Sequence, residues 1–231
     1  MARHPYFEFR QPQGYKPAPA PAKPTVLVVC LGSRERSGWP NWFLMMELIS
    51  MVRDQRYTVS IQTTLDLRNF DFARNYAVSQ AQKANSDFLV MFDNDIMPRV
   101  PMLNVVAEMV ASNIDVCAFA YGVTLHDGLR LCTEQQGEVR GNFIEVVSAG
   151  MGAVIISKKI WSSIPAPWFT WPVGELQQPL RGEDTEFCSL VRSRGFKVFS
   201  YKIPAGHLKT ADLTETLAHQ MHAAVVATSG Q

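Results

Sequence analysis

Two aspartates one residue apart, Asp93 and Asp95, close the run Asp87-Phe88-Leu89-Val90-Met91-Phe92-Asp93-Asn94-Asp95. The apolar stretch ahead of them reads as a buried strand, and strand alternation puts both carboxylates on one side of its end. Paired carboxylates invite a hard divalent cation. Mg2+ and Mn2+ take oxygen donors and are commonly held by one or two carboxylates together with substrate phosphates, so the pair is a seat for a metal-diphosphate complex. Taken alone the pattern is weak, because a strand end meeting a polar turn produces the same letters. Two further stretches carry reactive side chains: Gly182-Glu183-Asp184 at the start of a helical pattern, and Gly206-His207-Leu208-Lys209-Thr210 after a strand pattern. Acidic residues in a first helical turn also offset the helix dipole, so Glu183, Asp184 and Glu186 have a structural use as well as a chemical one. Arg74 offers a guanidinium for a phosphate and serves equally well as a solvated helix charge; the residue type leaves both readings open.

The elements that must position these groups alternate between β and α over the first half. Thr25 to Leu31 is a continuous Val/Leu run of the kind found in buried parallel strands. Asn41 to Arg53 has helical apolar spacing, and Thr58 to Thr63 is β-branched. Phe72 to Ala84 is helical, with Asp71 as its expected N-cap. Asp87 to Asp93 supplies a strand, Pro101 to Ala111 a helix, and Asp115 to Tyr121 another strand. This order predicts an α/β fold with a mostly parallel open sheet, whose ligands bind outside the carboxyl ends of the strands. The second half reads as a mixed sheet, with short strands at Leu129 to Thr133, Phe143 to Val147 and Ala153 to Ser157. A Pro/Trp loop over Ile164 to Pro172 follows, then a helix over Gly182 to Arg194, a strand over Lys197 to Tyr201, and a closing helix over Thr214 to Thr228. His219 and His222 sit three apart on that last helix and read as exposed histidines.

Residues 1–24 contain a Pro/Ala/Lys-rich stretch that cannot form a core and are expected to be a flexible tail, leaving 25–231 as a single domain. With 22 basic and 21 acidic residues the chain has a formal charge of +1, which gives no electrostatic reason for a nucleic-acid partner. The four cysteines, Cys30, Cys117, Cys132 and Cys188, lack metal-type spacing. They read as reduced residues of a cytoplasmic protein. No apolar run is long enough to span a bilayer, so no integral membrane segment is expected.

Taken in chain order, the acidic strand end, the Gly-Glu-Asp helix start and the late Gly-His, with Ala73-Arg74-Asn75 upstream, resemble the GT-A nucleotide-sugar glycosyltransferases of the family-two-like kind. The likeness covers roughly Thr25 to Thr210. It implies a GT-A, Rossmann-like sheet with helices on both faces and a smaller antiparallel second half. It further implies a transferase that moves a sugar from a nucleotide-diphosphate donor to an acceptor hydroxyl on a glycan, lipid-linked sugar, protein or small molecule. By the resemblance Asp93 and Asp95 match the metal motif, His207 the late metal ligand for Mn2+ or Mg2+, and Asp184 the catalytic base of an inverting reaction. Glu183 stands beside that base as a residue that orients the acceptor or caps the helix. Arg74, Asn75, Asp93, Asn94, Ser33 and Arg34 fall where the family holds the nucleotide, although Ser33-Arg34 departs from the familiar Pro-and-Asn pattern there. Gly152 admits close approach of a donor sugar or marks a simple turn. Trp168, Phe169 and Trp171 fit either a sugar-stacking wall or the core. Alternatives from the same residues are a sugar nucleotidyltransferase, a retaining glycosyltransferase and a catalytically silent sugar-nucleotide-binding module.

Overall fold

The computed structural model describes residues 22–32, 42–65, 69–125, 128–174 and 181–207. Ser33, Arg34, the tail through residue 21 and the expected helix Thr214–Thr228, with His219 and His222, lie outside the described residues.

The first half follows the alternation read from the sequence: β1 (Thr25–Gly32), α1 (Trp42–Arg53), β2 (Thr58–Leu65), α2 (Phe70–Lys83), β3 (Phe88–Asp93), β4 (Ile96–Met97), α3 (Met102–Ala111) and β5 (Val116–Phe119). Next come β6 (Gly122–Leu125), β7 (Gly128–Leu131), β8 (Thr133–Arg140), β9 (Phe143–Ala149), β10 (Ala153–Ser157) and α4 (Lys158–Ser163). The described chain closes with α5 (Glu183–Ser193), β11 (Val198–Tyr201) and β12 (Gly206–His207).

Eight strands form one sheet in the order β2-β1-β3-β10-β5-β11-β9-β8. β1 is parallel to β2 and β3, and β5 is parallel to β11. β10 runs against β3 and β5, and β9 against β11 and β8. All strands but β10 and β9 therefore share one direction, as expected for an open, mostly parallel GT-A-type, Rossmann-like sheet. The antiparallel members all come from the second half. The sheet separates two apolar layers. Val26, Val28 and Cys30 face a layer with Leu44, Leu48 and Met51 of α1 and Met102, Val105, Val106 and Met109 of α3. Leu27, Val29 and Leu31 face the other, with Ala73, Ala77 and Ala81 of α2, Ile160 of α4, and Phe187 and Val191 of α5. Alternation along a strand buried on both faces makes this sandwich.

Two local readings are corrected. The N-cap of α2 is Asn69, in extended conformation, and Asp71 lies inside the first turn. The strand expected over Leu129 to Thr133 is split between β7 and β8, separated at Cys132. β8 carries the polar string Thr-Glu-Gln-Gln-Gly-Glu-Val-Arg, and its register with β9 is irregular between Glu134 and Val139. An edge strand of that composition has no apolar alternation to betray it. The short ribbon β4–β12, in which His207 pairs with Ile96, was not anticipated either.

Candidate functional site

Each acidic residue of interest is delivered by a regular element. β3 ends at Asp93 beside Leu31 of β1, and the antiparallel start of β10 lies on its other side. The Asp93 amide donates to Gly152 O at 2.7 Å, and the Asn94 amide donates to Leu31 O at 3.0 Å, so the backbone of this turn is pinned from both neighbours. Asp95 leads directly into β4. Because β4 pairs with β12, His207 is brought back across 112 residues of chain to stand over Asp95, with Nε2 3.1 Å from Oδ2.

The His207 ring has a defined tautomer at one end. Nδ1 lies 3.0 Å from Gly122 O, and a carbonyl oxygen only accepts, so Nδ1 carries a hydrogen. Neutral His207 then turns the lone pair of Nε2 toward a carboxylate. That contact becomes favourable with a second ring proton or with a cation shared by the two groups. Neighbouring ligands on a six-coordinate ion with bonds of about 2.1 Å stand about 3 Å apart, so the Asp95–His207 spacing fits such an ion. Among the described residues no group of three or more His, Cys, Asp or Glu side chains gathers closely enough to hold a metal alone. A cation here would draw its remaining ligands from water and from substrate oxygens.

Asp93 has a different partner. Arg74, on the first turns of α2, is only 3% exposed. Its Nη2 lies 3.3 Å from both Asp93 oxygens, and its Nη1 forms an ion pair with Glu183. The guanidinium also lies 5.3 Å from the Phe70 ring centroid, one turn back on the helix. Arg74 is therefore neither a solvated helix charge nor turned wholly to a ligand: it ties the end of β3 to the helix that carries Asp184. Its Nε–H is buried without an acceptor among the described residues. Burial pushes the Asp93 carboxyl above its ordinary range against the pull of Arg74, and the charges of Asp95 and Asp184 add to the upward push. Glu183 is raised in the same way, by burial first, again opposed by Arg74 and supported by Asp184 and Asp93. Asp93, Asp95, Glu183 and Asp184 are thus four carboxylates gathered around one guanidinium and one imidazole.

Asp184 stands in the first turn of α5, where its Oδ1 accepts the Thr185 amide at 2.8 Å. Gly182 is part of that geometry, since a Cβ there would come 2.6 Å from Asp184 Oδ1. The glycine leaves the carboxylate room to sit over the helix start.

Asn75 holds a loop in place. Its Oδ1 accepts the Trp168 and Phe169 amides at 2.8 and 3.1 Å, and its Nδ2 donates to Phe169 O at 2.6 Å. Trp168 and Phe169 are buried, Phe169 stacking on Phe187 of α5 at 4.3 Å between centroids. They belong to the core, and the sugar-wall reading survives only for Trp171, which is 40% exposed.

Sequence reasoning passed over Tyr121, two residues beyond the β5 end. Its ring meets His207 edge-on, 5.1 Å between centroids. It also fills the space where a Cβ on Gly150 or Gly152 would stand, 2.5 Å and 2.9 Å from the nearest ring or hydroxyl atom. The glycines flanking Met151 therefore accommodate a tyrosine of this chain, and the signal for it was the pair of glycines itself. Cys132 joins the group: its amide donates to Tyr121 O at 3.1 Å, and the Tyr121 amide reaches its Sγ at 3.4 Å.

The sheet order and its flanking helices define an α/β protein with a Rossmann-like, mostly parallel sheet. No family model matches the sequence, and no curated protein matches it. Among solved structures, the chain is similar to A197 from STIV, at 17% identity and a TM-score of 0.52, covering 80% of this chain and 86% of that one. This likeness shows the fold. Lower similarities include UDP-glucose pyrophosphorylase complexed with UDP-glucose, at 9% identity and a TM-score of 0.42 over 78% of this chain and 73% of that one. Mannose-1-phosphate geranyltransferase from Thermus thermophilus follows at 13% identity and 0.37, over 58% and 57%. No described helix is long and apolar enough to cross a membrane.

Proposed function

We propose that this chain is a metal-dependent glycosyltransferase that takes a nucleotide-diphosphate sugar and passes the sugar to an acceptor hydroxyl with inversion. The observation that carries the reading is the convergence of Asp95 and His207 beside Asp93, with Asp184 electrostatically coupled to the same cluster. Asp95 and His207 would hold Mn2+ or Mg2+, and Asp93, steadied by Arg74, would reach the complex through water or the ribose. A bound divalent cation supplies Lewis-acid stabilisation of the diphosphate as negative charge grows on it. Four carboxylates against one guanidinium leave an excess of negative charge that only a cation lets a diphosphate approach.

Asp184 is the base. The Thr185 amide holds its carboxylate in one orientation over the helix start. A carboxylate is a weak base toward a sugar hydroxyl, so it takes the proton late in the displacement, and placement matters more than basicity. Glu183, paired with Arg74, positions the start of α5.

The test is a panel of nucleotide sugars with Mn2+, read by thermal stabilisation and by transfer. Donor-specific stabilisation that EDTA removes and Asp95→Ala abolishes is the expected result. Asp184→Asn is expected to keep donor binding and lose transfer by on the order of 100-fold or more. Pyrophosphate release from a nucleoside triphosphate and a sugar 1-phosphate, with Asp184→Asn fully active, would replace this reading with nucleotidyl transfer.

A further inference from the structure

α1 is apolar on two sides. Leu44, Leu48 and Met51 pack against the sheet, as the spacing of a core-facing helix requires. Trp42, Met45, Met46, Ile49 and Val52 form a second stripe, with Trp42 72% and Ile49 41% exposed. The two flanks of the helix are not equivalent. Glu47 Oε1 accepts the Met102 amide at the start of α3, so the flank bearing Glu47 faces the interior of the helical layer. Ile49, two residues on and about 200° around, lies on the opposite flank, away from α3 and toward the outer edge of the sheet.

That outer edge is β2, which pairs with β1 alone among the described residues. Its sequence, Thr-Val-Ser-Ile-Gln-Thr-Thr-Leu, has no charge, proline or glycine, the devices by which edge strands are ordinarily protected from pairing. Val59 packs into the α1 layer, and Ile61, of the same parity, lies on that face and is 37% exposed. The stripe and the strand edge therefore lie on the same face of the sheet, at its β2 end.

We infer that this surface binds a second copy of the chain, with β2 pairing antiparallel to its counterpart about a two-fold axis perpendicular to the sheet. Such an axis keeps both α1 helices on the same face, so their apolar stripes meet across it while the two strand edges exchange hydrogen bonds. The strand edge selects this occupant. A lipid surface could cover α1 but could not satisfy the amides and carbonyls of β2, whereas an identical edge satisfies them all. With about 100 Å² exposed on each of six side chains, the patch offers about 600 Å² per copy before the strand backbone is added. A standard interface takes about 800 Å² per partner.

Sedimentation velocity of the full-length chain over a dilution series tests the inference, with hydrogen exchange on β2 as a second measurement. A two-copy mass is expected at high concentration, with protected outer β2 amides. Ile49→Asp and Ile61→Lys should each shift the mass to one copy and release that protection, with the circular dichroism of the fold unchanged. A one-copy mass at every concentration would overturn the inference, as would a two-copy mass indifferent to both substitutions. So would a one-copy mass that cosediments with phosphatidylcholine–phosphatidylglycerol vesicles and loses them on Ile49→Asp.

Discussion

Two clusters of opposite charges in this molecule use the same residue types to different ends. At the candidate site Arg74 bridges Asp93 and Glu183, and the side chains of Arg74 and Glu183 are 4% and 8% exposed. On the far hairpin, β8–β9, Glu138 and Glu145 are bridged by Lys197 from just before β11, each at 2.9 Å, and Arg140 holds Glu138 at 2.6 Å, but Lys197 and Glu138 are 45% and 40% exposed. Water screens the second cluster and permits its side chains to part at little cost. The first has given up its hydration, so losing one member leaves the others buried and uncompensated. Burial, not the number of ion pairs, makes Arg74 a keystone and Lys197 an ornament of the surface.

Arg74→Met should therefore be the most damaging single change outside the reacting groups. It is expected to cost about 3–5 kcal/mol by chemical denaturation, with part recovered when Glu183→Gln is added. If the single variant unfolds no more easily than the wild type, the contrast with the far hairpin fails. Gly182→Ala sharpens the same contrast at the level of activity. The new methyl displaces the Asp184 carboxylate and should lower kcat on the order of 100-fold while donor KM and Tm stay near wild type. Gly152→Ala presses on Tyr121 and is expected to cost about 1–3 kcal/mol, and Tyr121→Leu in that background should restore part of the loss.

The two clusters also answer pH with opposite signs. Burial raises the Glu183 carboxyl, so its ionisation weighs against the folded state above the raised value, and that burden lifts as pH falls toward the ordinary carboxylate range. Arg140 and Lys197 hold Glu138 down to about 2, so its contribution is present above the ordinary carboxylate value and is lost as pH falls through about 2. Comparing wild type with Glu183→Gln and Glu138→Gln across an acid titration of Tm should show curves that diverge in opposite directions. The smallest effect is expected at neutral pH, where Glu138→Gln should leave Tm unchanged within error in 0.5 M salt, a concentration at which a surface pair is largely screened (Debye length about 4 Å). A marked loss there would mean that the hairpin cluster is structural after all.

How much of this was legible in the sequence depends on length scale. β1, β3, β10 and β5 announced themselves as apolar runs, and α2, α3 and α5 by their spacing, because burial on one or both faces imposes a period that many residues share. The placement of Asp93, Asp95 and Asp184 was legible because each lies within two residues of the end of such an element. The ribbon β4–β12 was not, since two residues carry no period. Nor was the burial of Arg74, whose partner Glu183 lies 109 residues away. Tyr121 left a trace only in the glycines that make room for it.

The amino-acid sequence by itself determined the α/β alternation, the strand ends that carry the carboxylates and the helix start that carries Asp184, because local periodicity and the hydrophobic effect act on neighbours in the chain. The tertiary structure alone decided that His207 faces Asp95, that Arg74 belongs to Asp93 and Glu183, and that Trp168 and Phe169 are core. Those outcomes depend on which distant segments the sheet brings side by side, and on which charges lose their water when it does.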